Sequence, residues 1–355
     1  MKMETARRVM RSAVRPLLAI STALLIGAAL ILSAGENPLR AFGILFTGAF
    51  GSTNAFLNTL GNATPLLFTG LAAVLAARVG VFNIGIEGQL YLGALAAAVI
   101  GTYVGVLPAP IAILLCMLGA MVAASLWALI PGLINSKLNV NIFVMFFMLN
   151  NMAILFTEFL ANGPFQGNLP EAATDRVSAA ARLYRFTPFA TLSTGIFLAL
   201  ALVALVWFVM QKTRFGYECD AVGKNPSFSE YIGVRVKGRQ LFVLILSACI
   251  AGLAGAEPVL GHLGRFFADF SNELGFVGIA IALLAQNSPA GVVVFAIFFG
   301  ALQSGGLLME AGTNVPGDLV NVVQSLLIVL ISADFVIRSV KGKKQRVKVK
   351  AGDTL

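Results

Sequence analysis

The sequence predicts an all-α polytopic membrane protein, one transmembrane domain over residues 1–355 with about ten transmembrane helices. Three observations predict this class. Hydrophobic residues make up 58% of the chain and charged residues only 12%, whereas soluble domains carry about 25% charged residues. Apolar runs of about 20 residues, enough to cross a bilayer core, recur from Leu17 to Asp334. The polar breaks between these runs are short and leave no room for a soluble domain.

The first predicted span, residues 17–34, follows five basic residues between Lys2 and Arg15. This arrangement resembles a signal peptide, but no convincing Ala-x-Ala cleavage site follows and many more spans do, so we expect an uncleaved first helix. Nine further spans are predicted at residues 63–79, 86–106, 111–132, 141–160, 191–210, 241–260, 275–286, 290–308 and 318–337.

The basic residues predict which loops are cytoplasmic, because cytoplasmic flanks of membrane spans retain Lys and Arg. With ten crossings and a cytoplasmic amino terminus, 20 of the 25 Lys and Arg residues fall inside and five fall outside. We therefore expect residues 1–15 and the basic tail at 338–355 to be cytoplasmic. This topology explains the net charge of +9 without nucleic acid as a partner.

Two predicted spans are short or broken. The span at 275–286 ends in QNSPAG, and NIGIEGQ interrupts the boundary between the second and third spans. Non-helical backbone at membrane depth is tolerated only inside protein or beside a water-filled cavity. Gly93, Ala97 and Gly101 repeat at the four-residue spacing of close helix contacts. The sequence therefore predicts a tightly packed bundle that contains broken helices.

Glu87 lies in one of these breaks. A carboxylate at bilayer depth costs at least about 2.5–3.5 kcal/mol on insertion scales, so it should face the bundle interior and find partners there. We expect those partners to be Arg78 or free backbone amides of the NIG break, since a carboxylate suits a helix N-terminus. Our first interpretation is that Glu87 holds the broken segment between two helices. Direct substrate contact is the alternative.

Polar and aromatic residues in the predicted spans are candidates for a substrate pathway. Asn150 and Asn151 are adjacent on one helix and point about 100° apart, so we expect one at most to face a pathway while the other bonds to a neighbouring helix. Aromatic faces beside amides would suit a nucleobase, although core packing also explains the phenylalanines. The candidate pathway residues are Asn83, Glu87, Gln89, Phe146, Phe147, Asn150, Asn151, Gln286 and Asn287.

The largest predicted cytoplasmic loop, residues 212–240, contains a candidate partner surface. Its core from Glu218 to Tyr231 can form a short helix broken near Gly223 and Pro226, with Asn225 or Ser227 as the cap of the following turn. Taken alone, this stretch would also fit an ordinary basic loop.

Three sequence blocks resemble a known family. RFGYECDAVGKNPSFSEYIGV resembles the coupling loop of ABC importer permeases, whose A-x-G-x-N-P core precedes a helix that docks on the ATPase subunit. GLAAVLAARVGVFNIGIEGQLYLGA and GFVGIAIALLAQNSPAGVVVFAIFFGALQSGG resemble blocks of the permeases of branched-chain amino acid and ribose importers. The NIG-x-EGQ motif resembles the corresponding motif of the nucleoside-importer branch of this family. One departure is the run Ser227 to Glu230, where the family commonly has two alanines after Asn-Pro.

The resemblance implies a type II ABC importer permease bundle in the bacterial cytoplasmic membrane, taking up nucleosides by alternating access. It implies a separate ATPase that uses ATP and Mg, a second permease chain that is commonly a different one, and an outer substrate-binding lipoprotein. The chain has no G-x-x-x-x-G-K-[ST] phosphate loop, so we expect neither ATPase nor other enzyme activity and no cofactor. The residues implied in ATPase coupling are Arg214, Gly216, Ala221, Gly223, Asn225, Pro226, Glu230 and Gly233.

Other functions remain open at this level. The same machinery could import ribose, another simple sugar or another small polar metabolite. An ion-driven secondary transporter should carry a relay of buried acidic or histidine residues, and this sequence offers mainly Glu87. A lipid-modifying enzyme would need paired carboxylates, a Ser/His pair or a metal cluster. The widely spaced Cys116, Cys219 and Cys249 and the single His262 predict neither disulfides nor a metal site.

Overall fold

The structure is a computed structural model of the chain and describes residues 21–313 except 34, 139 and 169, together with a few single positions between 319 and 329. The predicted cytoplasmic segments 1–15 and 338–355 lie outside the described residues, as does most of the predicted last span at 318–337. In the described part no β-strand forms, and only two isolated β-bridges occur.

The described residues of the range 21–313 form twelve α-helices and two short helical turns. The α-helices are α1 (Ser21–Ser33), α2 (Pro38–Phe50), α3 (Thr53–Arg78), α4 (Ile86–Tyr103), α5 (Ala109–Leu138), α6 (Ile142–Asn162), α7 (Gly195–Lys212), α8 (Arg214–Lys224), α9 (Pro226–Tyr231), α10 (Val236–Pro258), α11 (Leu274–Leu284) and α12 (Pro289–Gly312). A 3₁₀ turn covers Ala179–Ala181, and a π-helical turn covers Val259–Leu263 at the end of α10.

Helix starts follow capping chemistry. The Ser52 hydroxyl accepts a hydrogen bond from the Ala55 N–H at the start of α3, and the Asn141 side chain accepts from the Phe143 N–H at the start of α6. Such caps satisfy backbone donors that have no partner within the helix. They fix where these apolar segments begin.

Six helices are long and apolar enough to cross a membrane: α3, α5, α6, α7, α10 with its π-helical turn, and α12. The bent pair α1 and α2 would add a seventh. The expected number of ten is therefore not confirmed. The predicted span 86–106 forms α4, whose Glu87 and Gln89 lower its hydropathy, and the predicted span 275–286 forms α11, which has only 11 residues.

The chain divides into two compact units, one formed by residues 47–305 and the other by residues 1–46 with 306–355. In the unit 47–305, α10 packs against α3, α4 and α5, and α3 also packs against α11. In the 18-residue apolar stretch of each helix, 83% of the residues are buried in α3 and in α10 with its π-helical turn, whereas only 22% are buried in α5 and in α6. Helices α3 and α10 therefore form the core, and α5 and α6 lie at its periphery.

Small residues bring the helix backbones into contact, as their spacing predicted. A Cβ atom added at Gly93 would collide with the backbone of Gly252, and one added at Gly252 would lie 2.5 Å from the Ala120 carbonyl oxygen. Likewise, a Cβ at Gly255 would collide with the Leu90 carbonyl oxygen. Glycine at these positions lets α4, α5 and α10 approach closely enough for backbone-to-backbone packing.

The loops of this unit meet at two ends of the bundle. At one end, Arg78 of α3 pairs with Asp220 of α8, and the Lys237 ammonium donates to the Ser136 carbonyl oxygen. At the other end, Ala173 forms a β-bridge with Phe267.

Candidate functional site

The chain between α3 and α4 is not helical although it lies inside the bundle. Residues 79–85 connect the two helices, and most of their side chains are buried. Backbone groups in such a place need protein partners. Asn150 of α6 supplies two, because its Nδ2 donates to the Ile84 carbonyl oxygen at 2.7 Å and its Oδ1 accepts from the Gly88 N–H at 2.9 Å. Asn150 therefore closes the break between α3 and α4.

A second polar network fixes the same break to the core. Asn83 and Gln89 exchange hydrogen bonds between their amides, with N···O distances of 3.0 and 3.2 Å. The Asn83 Nδ2 also donates to the Ser247 hydroxyl of α10 at 2.9 Å. That hydroxyl donates in turn to the Ala72 carbonyl oxygen of α3 at 2.7 Å. The network joins α3, α4 and α10, and all of its side chains are buried.

Glu87, which is 3% exposed, links α4 to α11. Its Oε2 accepts a hydrogen bond from the Gly275 N–H at 2.6 Å, and its Oε1 accepts from the Ser271 hydroxyl at 2.6 Å. Gly275 lies in the first turn of α11, so the carboxylate faces the positive end of that helix. A Cβ at Gly275 would lie 2.6 Å from the Glu87 amide nitrogen. Only glycine allows this approach.

The partners expected for Glu87 were wrong. Arg78 pairs instead with Asp220 of α8, with Nη1 and Oδ1 2.9 Å apart. The backbone amide that binds the carboxylate belongs to α11 and not to the NIG break. The interpretation that Glu87 holds a broken segment between two helices agrees with this geometry.

The other pathway candidates separate into buried and exposed positions. Phe146 is buried and packs against Gly85, where an added Cβ would collide with its ring. Phe147 and Asn151 lie on the exposed face of α6. Gln286 is exposed and Asn287 half-buried, and both have the left-handed backbone, with φ of 52° and 56°, in the break between α11 and α12.

The loop between α7 and α10 folds into two short helices, α8 and α9. The Thr213 hydroxyl caps α8 by accepting from the Gly216 N–H. Asn225 caps α9 by accepting from the Phe228 N–H at 3.1 Å, and Pro226 takes the first helical position, where its missing N–H has no cost. The predicted helix break and the Asn225 cap are therefore confirmed.

One side of these short helices faces the bundle. A Cβ at Gly216 would collide with the Met210 carbonyl oxygen, and one at Gly223 would collide with the Arg78 carbonyl oxygen. Ion pairs add to this packing, because Asp220 pairs with Arg78 and Glu218 pairs with Arg239 of α10. These pairs were not predicted from the sequence; opposite charges in the loop and at helix ends were the available signal.

The other side of the loop forms an exposed face, which we call the α8–α9 face. It carries the apolar side chains of Tyr217, Phe228, Tyr231 and Ile232. Of the predicted coupling residues, the exposed ones are Arg214, Asn225, Pro226, Glu230 and Gly233, whereas Ala221 and Gly223 are half-buried and Gly216 is buried. Clustered exposed apolar side chains at the end of a membrane bundle mark an interaction surface.

Together these features define a class: a polytopic membrane protein whose broken helices meet inside the bundle and whose α8–α9 face is suited to a partner. Among the residues that the structure describes, no group of three or more His, Cys, Asp or Glu side chains could hold a metal ion.

The chain belongs to the family described as branched-chain amino acid transport system permease components, whose model matches residues 55–332. It is therefore a permease component of an ABC transporter and not itself an enzyme. ATP use in such transporters falls to a partner ATPase.

Three relatives are similar over nearly their whole length. The guanosine ABC transporter permease protein NupP of Bacillus subtilis is 33% identical, with 93% of this chain and 96% of the relative covered. The glucose ABC transporter permease protein TsgB13 of Haloferax volcanii is 36% identical, with 90% and 87% covered. The nucleoside ABC transporter permease protein NupB of Lactococcus lactis is 31% identical, with 95% of each covered. Bacillus subtilis also has a second permease that matches this chain, NupQ, at 26% identity. Lactococcus lactis has NupC, at 27% identity.

Proposed function

We propose that this chain is the transmembrane permease subunit of an ATP-driven nucleoside importer in the bacterial cytoplasmic membrane. The observation that carries the proposal is its similarity to guanosine and nucleoside permeases over more than nine tenths of both chains. The geometry supports a transporter, since two helices begin inside the bundle at one buried carboxylate and a separate face is free for a partner. The termini lie on the cytoplasmic side, together with α8 and α9.

The α8–α9 face is the docking surface for the ATPase. Tyr217, Phe228, Tyr231 and Ile232 supply apolar area, and aromatic residues of this kind dominate the energy of protein interfaces. Glu230 and Arg214 supply charges at the same surface. ATP binding closes the ATPase subunits, and the resulting movement reaches the spans through α8.

A second permease chain and an outer binding lipoprotein complete the importer. The relatives in Bacillus subtilis and Lactococcus lactis each have a second, less similar permease, which supports a different chain as the partner. A homodimer is the alternative. Because the lipoprotein captures the substrate first, it sets much of the substrate specificity.

We place the substrate pathway along the exposed face of α6 and at the break between α11 and α12. Asn151 lies near the middle of α6, and its Nδ2 makes only a long 3.4 Å contact with the Phe147 carbonyl oxygen. An amide facing lipid is costly, so its neighbour should be polar or aqueous. Phe147, Gln286 and Asn287 would line the same route. The buried Asn83, Glu87, Gln89, Phe146 and Asn150 hold the broken helices that shape it.

A sugar is the second candidate substrate, because the glucose permease relative is 36% identical. Binding of radiolabelled uridine, adenosine, ribose and glucose to the partner lipoprotein separates the two candidates. We expect the nucleosides to bind and to stimulate ATP hydrolysis by the assembled transporter. Binding of glucose or ribose without binding of either nucleoside would support the second candidate and contradict the first.

A further inference from the structure

We propose that Arg78 is a positioning residue that transmits movement of α8 to the break between α11 and α12. This inference rests on the proposed function, since it concerns how ATPase movement reaches the pathway. Arg78 is the last residue of α3 and contacts both elements. Its Nη1 lies 2.9 Å from Asp220 Oδ1 of α8, and its Nε donates to the Asn287 carbonyl oxygen at 3.3 Å. These two contacts place one guanidinium between the coupling loop and the break.

The chemistry of arginine suits this role. A guanidinium is planar and presents its donors in a fixed fork, so two partners held by one arginine keep a defined relative position. The Arg78 and Asp220 side chains are only 21% and 30% exposed, which limits screening of the pair by solvent. A lysine at this position could keep the charge near Asp220 but would lose the fixed fork.

The contact with α8 is tight enough to transmit displacement. Gly223 of α8 packs directly on the Arg78 carbonyl oxygen, where any Cβ would collide. The next residue along the chain is also held, because the Gln240 Nε2 of α10 donates to the Val79 carbonyl oxygen at 3.2 Å. Helix α8 therefore cannot shift far without moving the end of α3.

The contact with Asn287 lies at a point where the backbone can rearrange. Gln286 and Asn287 both have left-handed φ values, which are unfavourable for residues other than glycine. The Asn287 Oδ1 is buried and has no hydrogen-bond partner within the described part of the chain. Since a buried acceptor without a partner is costly, a second arrangement of this break can be of similar free energy.

Helix α11 connects this break to the interior of the bundle. The Glu87 carboxylate holds the N-terminal end of α11 through Gly275. The C-terminal end of α11 leads directly to the break that Arg78 contacts. An element of 11 residues fixed at both ends behaves as a short rigid rod. Displacement at Asn287 would therefore tilt α11 about its contact with Glu87 and change the pathway beside it.

The chain offers a matched control in the ion pair of Glu218 with Arg239. This pair also attaches α8 to the bundle, and the Arg239 and Glu218 side chains are 27% and 32% exposed. Arg239 belongs to α10, a continuous helix, and its guanidinium lies over the Phe215 ring. Arg239 has the same type of charge and similar exposure as Arg78, but among the described residues its contacts are with Glu218 and Phe215 and not with the break between α11 and α12.

The experiment compares Arg78→Gln and Arg78→Lys with Arg239→Gln and Arg239→Lys in the transporter assembled with its ATPase and second permease in proteoliposomes. Three quantities are measured: ATPase subunit retained, ATP hydrolysed, and nucleoside taken up per ATP. We expect Arg78→Gln to retain the ATPase and its hydrolysis while uptake per ATP falls at least about fivefold, the lower range of coupling between sites. Arg239→Gln should keep the wild-type nucleoside uptake per ATP.

A labelling readout separates transmission from simple stability. In a background without native cysteines, Gln286→Cys is labelled with a water-soluble thiol reagent. The labelling rate is measured once with the transporter free of nucleotide and once after the transporter has been trapped with vanadate. We expect the labelling rate to change with nucleotide state in the wild type and in Arg239→Gln, but not in Arg78→Gln or Arg78→Lys.

Two results would overturn the inference. One is Arg78→Gln with wild-type uptake per ATP and wild-type change in labelling. The other is failure of both Arg78 variants to assemble, which would show that Arg78 serves stability. With either result, ATP-dependent nucleoside uptake by the wild-type transporter would still support the proposed function. If the wild-type transporter showed no ATP-dependent uptake, the proposed function itself would be contradicted.

Discussion

The Glu87 carboxylate binds the Gly275 backbone N–H at 2.6 Å, joining the first turn of α4 to the first turn of α11. Two helices thus begin at one buried carboxylate inside the bundle. The Gly275 N–H, which has no partner within its own helix, and the carboxylate satisfy each other in a place where water is scarce. This arrangement keeps a non-helical segment stable within a membrane protein and leaves helix ends that can pivot.

Replacing Glu87 with alanine should destabilise this junction. The change leaves the Gly275 N–H and the Ser271 hydroxyl without their acceptor, and each buried unsatisfied group costs about 1–3 kcal/mol. We expect a lower melting temperature for purified Glu87→Ala, with a smaller decrease for Glu87→Gln, which keeps one acceptor oxygen. Glu158→Ala on α6 is the control, because Glu158 is half-exposed. Equal stability of Glu87→Ala and Glu158→Ala would show that the carboxylate is not holding α11.

Close packing of α10 predicts opposite effects for two glycines on the same helix. Alanine at Gly252 would place its Cβ 2.5 Å from the Ala120 carbonyl oxygen, whereas alanine at Gly238 would meet nothing closer than 3.8 Å. Overpacking costs about 1–3 kcal/mol, while alanine is favoured over glycine in an open helix position by about 0.5–1 kcal/mol. Thermal unfolding should therefore show Gly252→Ala less stable and Gly238→Ala as stable as wild type or more so. The reverse order would mean that α5 and α10 are not packed as described.

Tyr231 should contribute strongly to ATPase binding. Its side chain is 90% exposed, so Tyr231→Ala removes little packing within the chain. Loss of an interface hot spot costs about 2 kcal/mol or more, and we expect the ATPase to dissociate during purification or to bind at least about tenfold more weakly. Phe189→Ala is the matched control, since Phe189 is also highly exposed but lies in the segment at the opposite end. Unchanged ATPase binding in Tyr231→Ala would exclude a major role for this aromatic residue.

Cysteine labelling tests whether Asn151 faces water in the assembled transporter. A thiol in lipid reacts poorly with water-soluble reagents because the reactive species is the thiolate. We expect Asn151→Cys to be labelled and protected by nucleoside, and Leu126→Cys on the exposed apolar face of α5 to stay unlabelled. If neither cysteine is labelled, the exposed face of α6 contacts lipid or protein and the proposed pathway is wrong.

The native Cys219 gives little background in that measurement. Burial raises the pKa of the Cys219 thiol of α8 to about 11, so this thiol stays protonated at neutral pH. Labelling of Cys219 should require unfolding in detergent or a much higher pH.

The sequence was a good guide to features that depend on local patterns. Long apolar runs predicted α5, α6 and α7, and the Asn-Pro pair at positions 225 and 226 predicted the start of α9. The four-residue spacing of Gly93, Ala97 and Gly101 indicated close helix contacts. Each of these signals is read within a few turns of one helix.

Features that depend on distant pairing were harder to predict. Glu87 finds its partner 188 positions away and Arg78 finds Asp220 142 positions away, so local reasoning paired the two nearby charges with each other. The QNSPAG motif correctly predicted that α11 is short, but it did not predict the left-handed backbone of Gln286 and Asn287 in the break. The count of ten spans depended on treating each apolar run as a full crossing.

Energy coupling is the central claim, and initial uptake by reconstituted proteoliposomes tests it most directly. The permease is reconstituted with its ATPase, second permease and binding lipoprotein, and ATP and Mg²⁺ are supplied on the side that corresponds to the cytoplasm. Radiolabelled guanosine should accumulate on that side when ATP is present and should not accumulate without ATP. The chain reconstituted by itself should remain inactive under a sodium or proton gradient. Accumulation of guanosine by the isolated chain, driven by such a gradient, would contradict the account.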